Sequence, residues 1–187
     1  MPPEPAAGAQ PHAQARAGFA FSVQYATEAP ELPRWRLRRW AQRAVELTLA
    51  EEAEWLEAPR FKRAELTLRL VDAEEGRQLN QNYRERDYAT NVLTFEYGTD
   101  AMGAISGDIV LCVPVLHREA AEQGKPLLNH AAHLTIHGVL HALGYDHLDD
   151  AEARDMEALE TRILASLQIP DPYESSGPPT TAQPDTI

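Results

Sequence analysis

Five of the seven histidines in this chain fall between positions 130 and 147: His130, His133, His137, His141 and His147. At about 100° per residue, the first four lie within about 80° of one helix face. Otherwise the only polar residues in Leu127–Leu143 are Asn129 and Thr135. A mostly buried helix would thus gather its polarity into one imidazole stripe. Burying imidazoles without partners is costly, and a metal is the usual partner. His137 and His141 are one turn apart, about 6 Å along the axis, and can converge on one ion. His133 and His141 are about 12 Å apart in rise, too far for a shared metal with bonds of about 2.0–2.1 Å. The third ligand must come from chain that turns back. Gly144 stands where a left-handed C-cap reverses a helix, which lets His147 re-enter from the side.

The string HGVLHALGYDH therefore has H-x3-H-x5-H spacing, the metzincin protease pattern with one omission. Gly138 occupies the position of the proteases' glutamate base, and a glycine cannot activate water. Three neutral imidazoles with an open fourth position still suit a catalytic Zn2+ held by His137, His141 and His147. Asp146 can orient an imidazole N–H or cap a turn, and both readings stand.

Several elements must position these residues. Phe19, Phe21, Val23 and Tyr25 alternate as in a half-buried strand. Pro33 opens a helical pattern to about Glu57, and Leu66, Leu68 and Leu70 mark a second strand. Asp72 and Glu75 resemble a capping box for a helix over about 73–83. Val92–Tyr97 and the apolar run Asp108–Val113 predict two more strands, the latter central. Helices follow from Pro114 to Gly124, over Leu127–Leu143, and from Asp149 or Asp150 to Pro170. This order, βαβαββααα, predicts a single α+β domain: a mixed sheet of about four strands packed by helices, without regular βαβ alternation, and a metal site on a buried helix. Four prolines in residues 1–18 and five in 170–187 predict flexible tails around a domain spanning 19–169.

The chain has 187 residues and a net charge of −12, which excludes a generally basic nucleic-acid wrapper. Residues 34–86, however, hold 12 of the 17 basic and 10 of the 29 acidic side chains, a net +2. Arg34, Arg36, Arg38, Arg39 and Arg43 crowd the first helix. They either line an RNA path or form a solvated face paired with the glutamates at 46–57. The single Cys112, in an apolar run, reads as an inert core thiol in a reducing compartment. Asp108 reads as a turn residue at a strand start, and Asn91 as either a donor near the site or ordinary turn chemistry. No apolar run reaches the about 18–20 residues of a membrane span, and no secretory signal is recognisable, so a soluble cytoplasmic protein is expected.

The sequence resembles the YbeY endoribonuclease family of bacterial rRNA maturation factors over roughly 65–173. HAAHLTIHGVLHALGYDH (130–147) matches its signature, His133 included, and LNQNYRERDYATNVLTFEY (79–97) its LNxxYRxxDxxTNVLSFxY block. SGDIVLC, EQGKP and DMEALETRIL also fit. Thr94 stands for the usual Ser, and Tyr88-Ala89 replaces a common Pro.

The resemblance implies a zinc-dependent, single-strand-specific endoribonuclease in 16S rRNA 3′-end maturation and ribosome quality control. Its metal would be held by His137, His141 and His147. Its partners would be single-stranded RNA or an rRNA precursor, the small ribosomal subunit and its assembly factors, with neither DNA nor membrane. The family's functional arginine falls on Arg84, whose guanidinium would stabilise phosphate charge; the competing reading pairs Arg84 with Asp87 on the surface. Asn91 and His133 join Arg84 as candidate substrate contacts. With Gly138 in place of the base, slow turnover is expected. A zinc peptidase and a non-catalytic, zinc-containing ribosome-assembly factor are the alternatives.

Overall fold

The structure, a computed structural model, describes residues 18–174. Of the expected tails at 1–18 and 170–187, residues 1–17 and 175–187 lie outside the described residues, while Gly18 opens the first strand and 170–174 follow the last helix. Nine elements follow one another: β1 (Gly18–Tyr25), α1 (Arg34–Trp55), β2 (Arg63–Val71), α2 (Ala73–Arg84), β3 (Val92–Thr99), β4 (Ala104–Cys112), α3 (Val113–Glu122), α4 (Leu127–Ala142) and α5 (Asp150–Ser166). The strands form one open sheet in the order β1-β2-β4-β3. β1 pairs with β2, and β2 with β4, in parallel; β3 runs antiparallel to β4 at the edge. The β1–α1–β2 stretch is thus a parallel crossover unit, and the regular alternation stops at β3, which returns as a hairpin.

Alternation along the strands builds two cores. Leu66, Leu68 and Leu70 of β2, with Ile109 and Leu111 of β4, face the larger core formed with α1, α4 and α5. Val110 and Cys112, with Leu93 of β3, face a smaller core to which Leu79 of α2 contributes. β4 is therefore buried on both faces where it is most apolar. It begins at Ala104, not near Asp108, because the turn at Gly103 (φ 81°) starts the pairing earlier. Asp108 sits mid-strand and accepts a hydrogen bond from the Tyr97 hydroxyl at 2.8 Å.

The helix caps explain two boundaries. Asp72 accepts from the Glu75 backbone N–H at 2.9 Å and starts α2, but the Glu75 carboxylate turns to Arg69 at 2.7 Å instead of closing a capping box. Asp149 starts α5, accepting from Ala151 and Glu152 N–H groups. Among the described residues, no helix is long and apolar enough to cross a membrane.

Candidate active site

α4 is apolar on nearly every side because it lies between the sheet and helices α1, α3 and α5. Its histidine stripe is divided along the helix. His137 and His141 stack one turn apart, ring centroids 4.6 Å apart, with their Nε2 atoms 3.1 Å from each other. Two nitrogens of one tetrahedral zinc lie about 3.3 Å apart, given bonds of about 2.0–2.1 Å.

The helix then ends in a Schellman turn. Gly144 has φ 88°, its N–H donates to the His141 carbonyl at 2.8 Å, and Tyr145 N–H reaches the Leu140 carbonyl at 3.0 Å. This reversal brings the His147 ring to 4.9 Å from that of His141 and 5.9 Å from that of His137. One ligand atom from each of the three lies within 4.8 Å of the others. The turn is braced from behind: the Arg60 guanidinium stacks 4.9 Å above the Tyr145 ring and is held by the buried Glu52 carboxylate at 2.6 Å.

The electrostatics suit a cation. Burial, followed by the charges of His137 and His147, pushes the His141 imidazole down to about 4. It is therefore neutral near pH 7 and offers a lone pair. Glu160 of α5 is fully buried, and burial alone would raise its carboxyl. Hydrogen bonds from His133, His137 and Tyr173 overcome that and hold it at about 2. This carboxylate meets His137 Nδ1 at 2.5 Å, so the proton sits on Nδ1 and Nε2 faces His141 with its lone pair. His133, His137 and Glu160 also lie close enough to share an ion, but through the opposite nitrogen of His137.

A cavity of about 330 Å³ opens over the three histidines, walled by Arg84, Asn91, Glu96 and Asp146. Arg84, in the last turn of α2, is exposed at its edge. Asp87 pairs with Arg77 at 2.5 Å, and among the described residues Arg84 enters no ion pair. Asn91 reaches the cavity with its side chain already engaged. Its Oδ1 accepts from Val92 N–H at 2.7 Å, and its Nδ2 donates to Glu119 at 3.0 Å. His133 does not line the cavity; its Nε2 lies 3.3 Å from Glu160 and 3.2 Å from the Tyr173 hydroxyl. Tyr173 lies beyond the expected domain end at 169 and still packs here. Asp146 accepts the His147 backbone N–H at 2.8 Å and stands 3.5 Å from its Nδ1.

The two clustered histidines that lie outside the cavity thus find carboxylates as well: His133 shares Glu160 with His137, and His130 has Glu119 at 2.8 Å. Both acids escaped the sequence reading, although each interrupts an apolar helix stripe, Glu160 among Met156, Leu159 and Ile163 and Glu119 beside Val115 and Leu116. Glu96 was also missed. Its acid is raised by burial and then by the Asp146 charge. The α1 arginines lie elsewhere. Arg34 stacks on Tyr25 and Arg38 on Phe19, both on β1, at the far edge of the sheet from β3.

Fold and site together define a small α+β protein whose three-histidine cavity, with an arginine at its rim, can hold a cation. The family model for Endoribonuclease YbeY matches residues 22–168, and the chain belongs to that family. Endoribonuclease YbeY of Bordetella petrii is 65% identical over 159 residues, covering 83% of this chain and 97% of the relative. The proteins of that name from Bordetella avium and Paraburkholderia phytofirmans are 60% and 54% identical, covering 83% and 73% of this chain and 94% and 90% of their own lengths. The solution structure of TM1509 from Thermotoga maritima shares the fold, with a TM-score of 0.50 at 21% identity, over 86% of this chain and 98% of that one.

Proposed function

We propose that this protein is a zinc-dependent, single-strand-specific endoribonuclease of the cytoplasm, acting in 16S rRNA 3′-end maturation and ribosome quality control. Its partners would be the small ribosomal subunit and its assembly factors. One observation carries the reading: His137, His141 and His147 converge beneath a cavity whose wall includes Arg84. The three imidazoles would hold one Zn2+, which when bound supplies Lewis acidity for activating water and offsetting phosphate charge.

The chain's own residues do the rest. Arg84 presents planar, bidentate donors to a phosphodiester gaining negative charge. Glu160 fixes the tautomer of His137. Glu96 and Asp146 are the carboxylates in the wall that can take or return a proton. Position 138 has no room for a protease-type glutamate, which weighs against the peptidase alternative.

The test pairs metal analysis by mass spectrometry with cleavage of single-stranded RNA by wild type and Arg84→Ala. One zinc per chain in both proteins is expected, with a cleavage loss of about 100-fold or more in the variant. No bound metal together with unaltered cleavage in Arg84→Ala would sink the proposal. Ribosome association retained without any cleavage would favour a non-catalytic assembly factor.

A further inference from the structure

Edge strand β3 separates two cavities. Its Val92, Thr94 and Glu96 face the histidine cavity, whereas Phe95 and Tyr97 face a second cavity of about 260 Å³ on the side of the sheet that carries α2. The end of α2 makes the same division with consecutive residues: Arg84 lines the first cavity and Tyr83 the second. Tyr83 and Tyr97 are 65% and 64% exposed, high for aromatic residues at a sheet face. Neither ring is loose. Tyr83 packs edge-on against Phe95 at 4.8 Å, and the Tyr97 hydroxyl is tied to Asp108.

We infer that Tyr83 and Tyr97 form a stacking platform for an unpaired base of single-stranded RNA next to the phosphate held at Arg84. The inference rests on the endoribonuclease reading and adds a source for its single-strand preference. Tyr83 and Arg84 are adjacent in the chain and line the two cavities that β3 divides, so a strand crossing β3 would meet the guanidinium with its backbone and the ring with a base. Every base has a π-face, and exposed aromatics on a sheet hold splayed bases without sequence preference. Paired bases in a helix cannot reach such a platform. Of the two carboxylates beside it, Glu75 is paired with Arg69, which limits repulsion of the backbone. The apolar strip is narrow and bordered by polar side chains such as Thr67 and Gln24, which suits a base better than a protein surface.

The test uses full-length, metal-loaded protein and a single-stranded oligoribonucleotide carrying one 2-aminopurine, read by stopped flow before cleavage. Wild type is expected to quench the 2-aminopurine on binding. Tyr83→Ala and Tyr97→Ala should each weaken binding about 5- to 100-fold and lose the quench. Tyr97→Phe should stay within about threefold, since it keeps the ring, and Trp55→Ala, an exposed aromatic outside both cavities, should match wild type. Wild-type affinity and quench in both alanine variants would overturn the inference and leave the strip to a protein partner. So would equal losses in Tyr97→Phe and Tyr97→Ala, which would assign the effect to the hydroxyl. If wild type itself neither binds nor cleaves the RNA, the endoribonuclease reading fails and the platform with it. If wild type binds and cleaves while the alanine variants are unchanged, only the platform falls.

Discussion

A Cβ built on Gly138 would sit 2.7 Å from Cγ2 of Ile109. Helix α4 rests so closely on β4 that the residue after His137 cannot carry a side chain without displacing that of Ile109. The absence of a protease-type glutamate therefore has a packing cause. The same crossing brings Gly107 against Ala142, where a Cβ would meet its neighbour at 2.8 Å. Small residues on both elements set the depth at which His137 and His141 lie.

Gly138→Ala should accordingly destabilise the protein despite a helix-propensity gain of about 0.8–1 kcal/mol. Overpacking of a tight core costs about 1–3 kcal/mol, so the net loss is expected near 1 kcal/mol, or about 2–4 °C in Tm. Ile109→Ala, costly alone, should recover part of it in the double variant, with a coupling of about 0.5–3 kcal/mol. Strict additivity in thermal unfolding would refute the contact as the cause.

Gly144 should be equally intolerant for a different reason. At φ 88° a side chain is strained whatever the space, and a left-handed residue costs about 1–2 kcal/mol. Gly144→Ala is expected to lose that stability and to loosen His147, which depends on the turn for its position. Calorimetry and chelator competition would report the two effects. A variant with lowered Tm and unchanged metal affinity would separate His147 from the turn.

The difference between what could be read in the sequence and what could not follows contact range. The α4 helix, its histidine spacing and the Gly144 reversal are local, and periodicity with one glycine exposes them. The strand order is not local: the β2–β4 pairing bypasses β3, and nothing in Val92–Tyr97 announces an edge. The partners of His133 and His130 are likewise remote. Glu160 lies 27 residues from His133 and Glu119 lies 11 from His130, on other helices. An imidazole stripe alone cannot distinguish a carboxylate partner from a metal, so helix geometry limits the metal reading to His137, His141 and His147 but names no partner for His130 or His133. Arg84 was ambiguous because Asp87 is its near neighbour; the structure gives Asp87 to Arg77.

Glu160→Gln should reveal what that buried carboxylate does. It retains the shape but cannot hold the His137 proton as strongly, and such outer contacts are worth about 10- to 100-fold in metal affinity. In the metal-free protein the acid response should also change. A carboxyl lowered from 4.5 to about 2 adds stability that is present above about pH 4.5 and lost as pH falls through about 2. Wild type should lose stability over that window more steeply than Glu160→Gln in acid unfolding curves. Parallel curves and equal metal affinity would make Glu160 a passive core residue.

Cys112 offers a check on the smaller core beneath α2. Its thiol is buried, its Sγ would lie 3.1 Å from a Cβ on Gly76, and burial raises its pKa. The thiolate is disfavoured in the native state, so the thiol adds stability that is present below its unfolded pKa and lost as pH rises through the higher native one. Alkylation by iodoacetamide at pH 8 should therefore proceed only through opening of the fold. Its rate should rise with urea in step with unfolding, and Cys112→Ala should retain RNA cleavage. Rapid, complete labelling of the native protein would contradict this packing, because it would require α2, which carries Arg84, to part readily from the sheet.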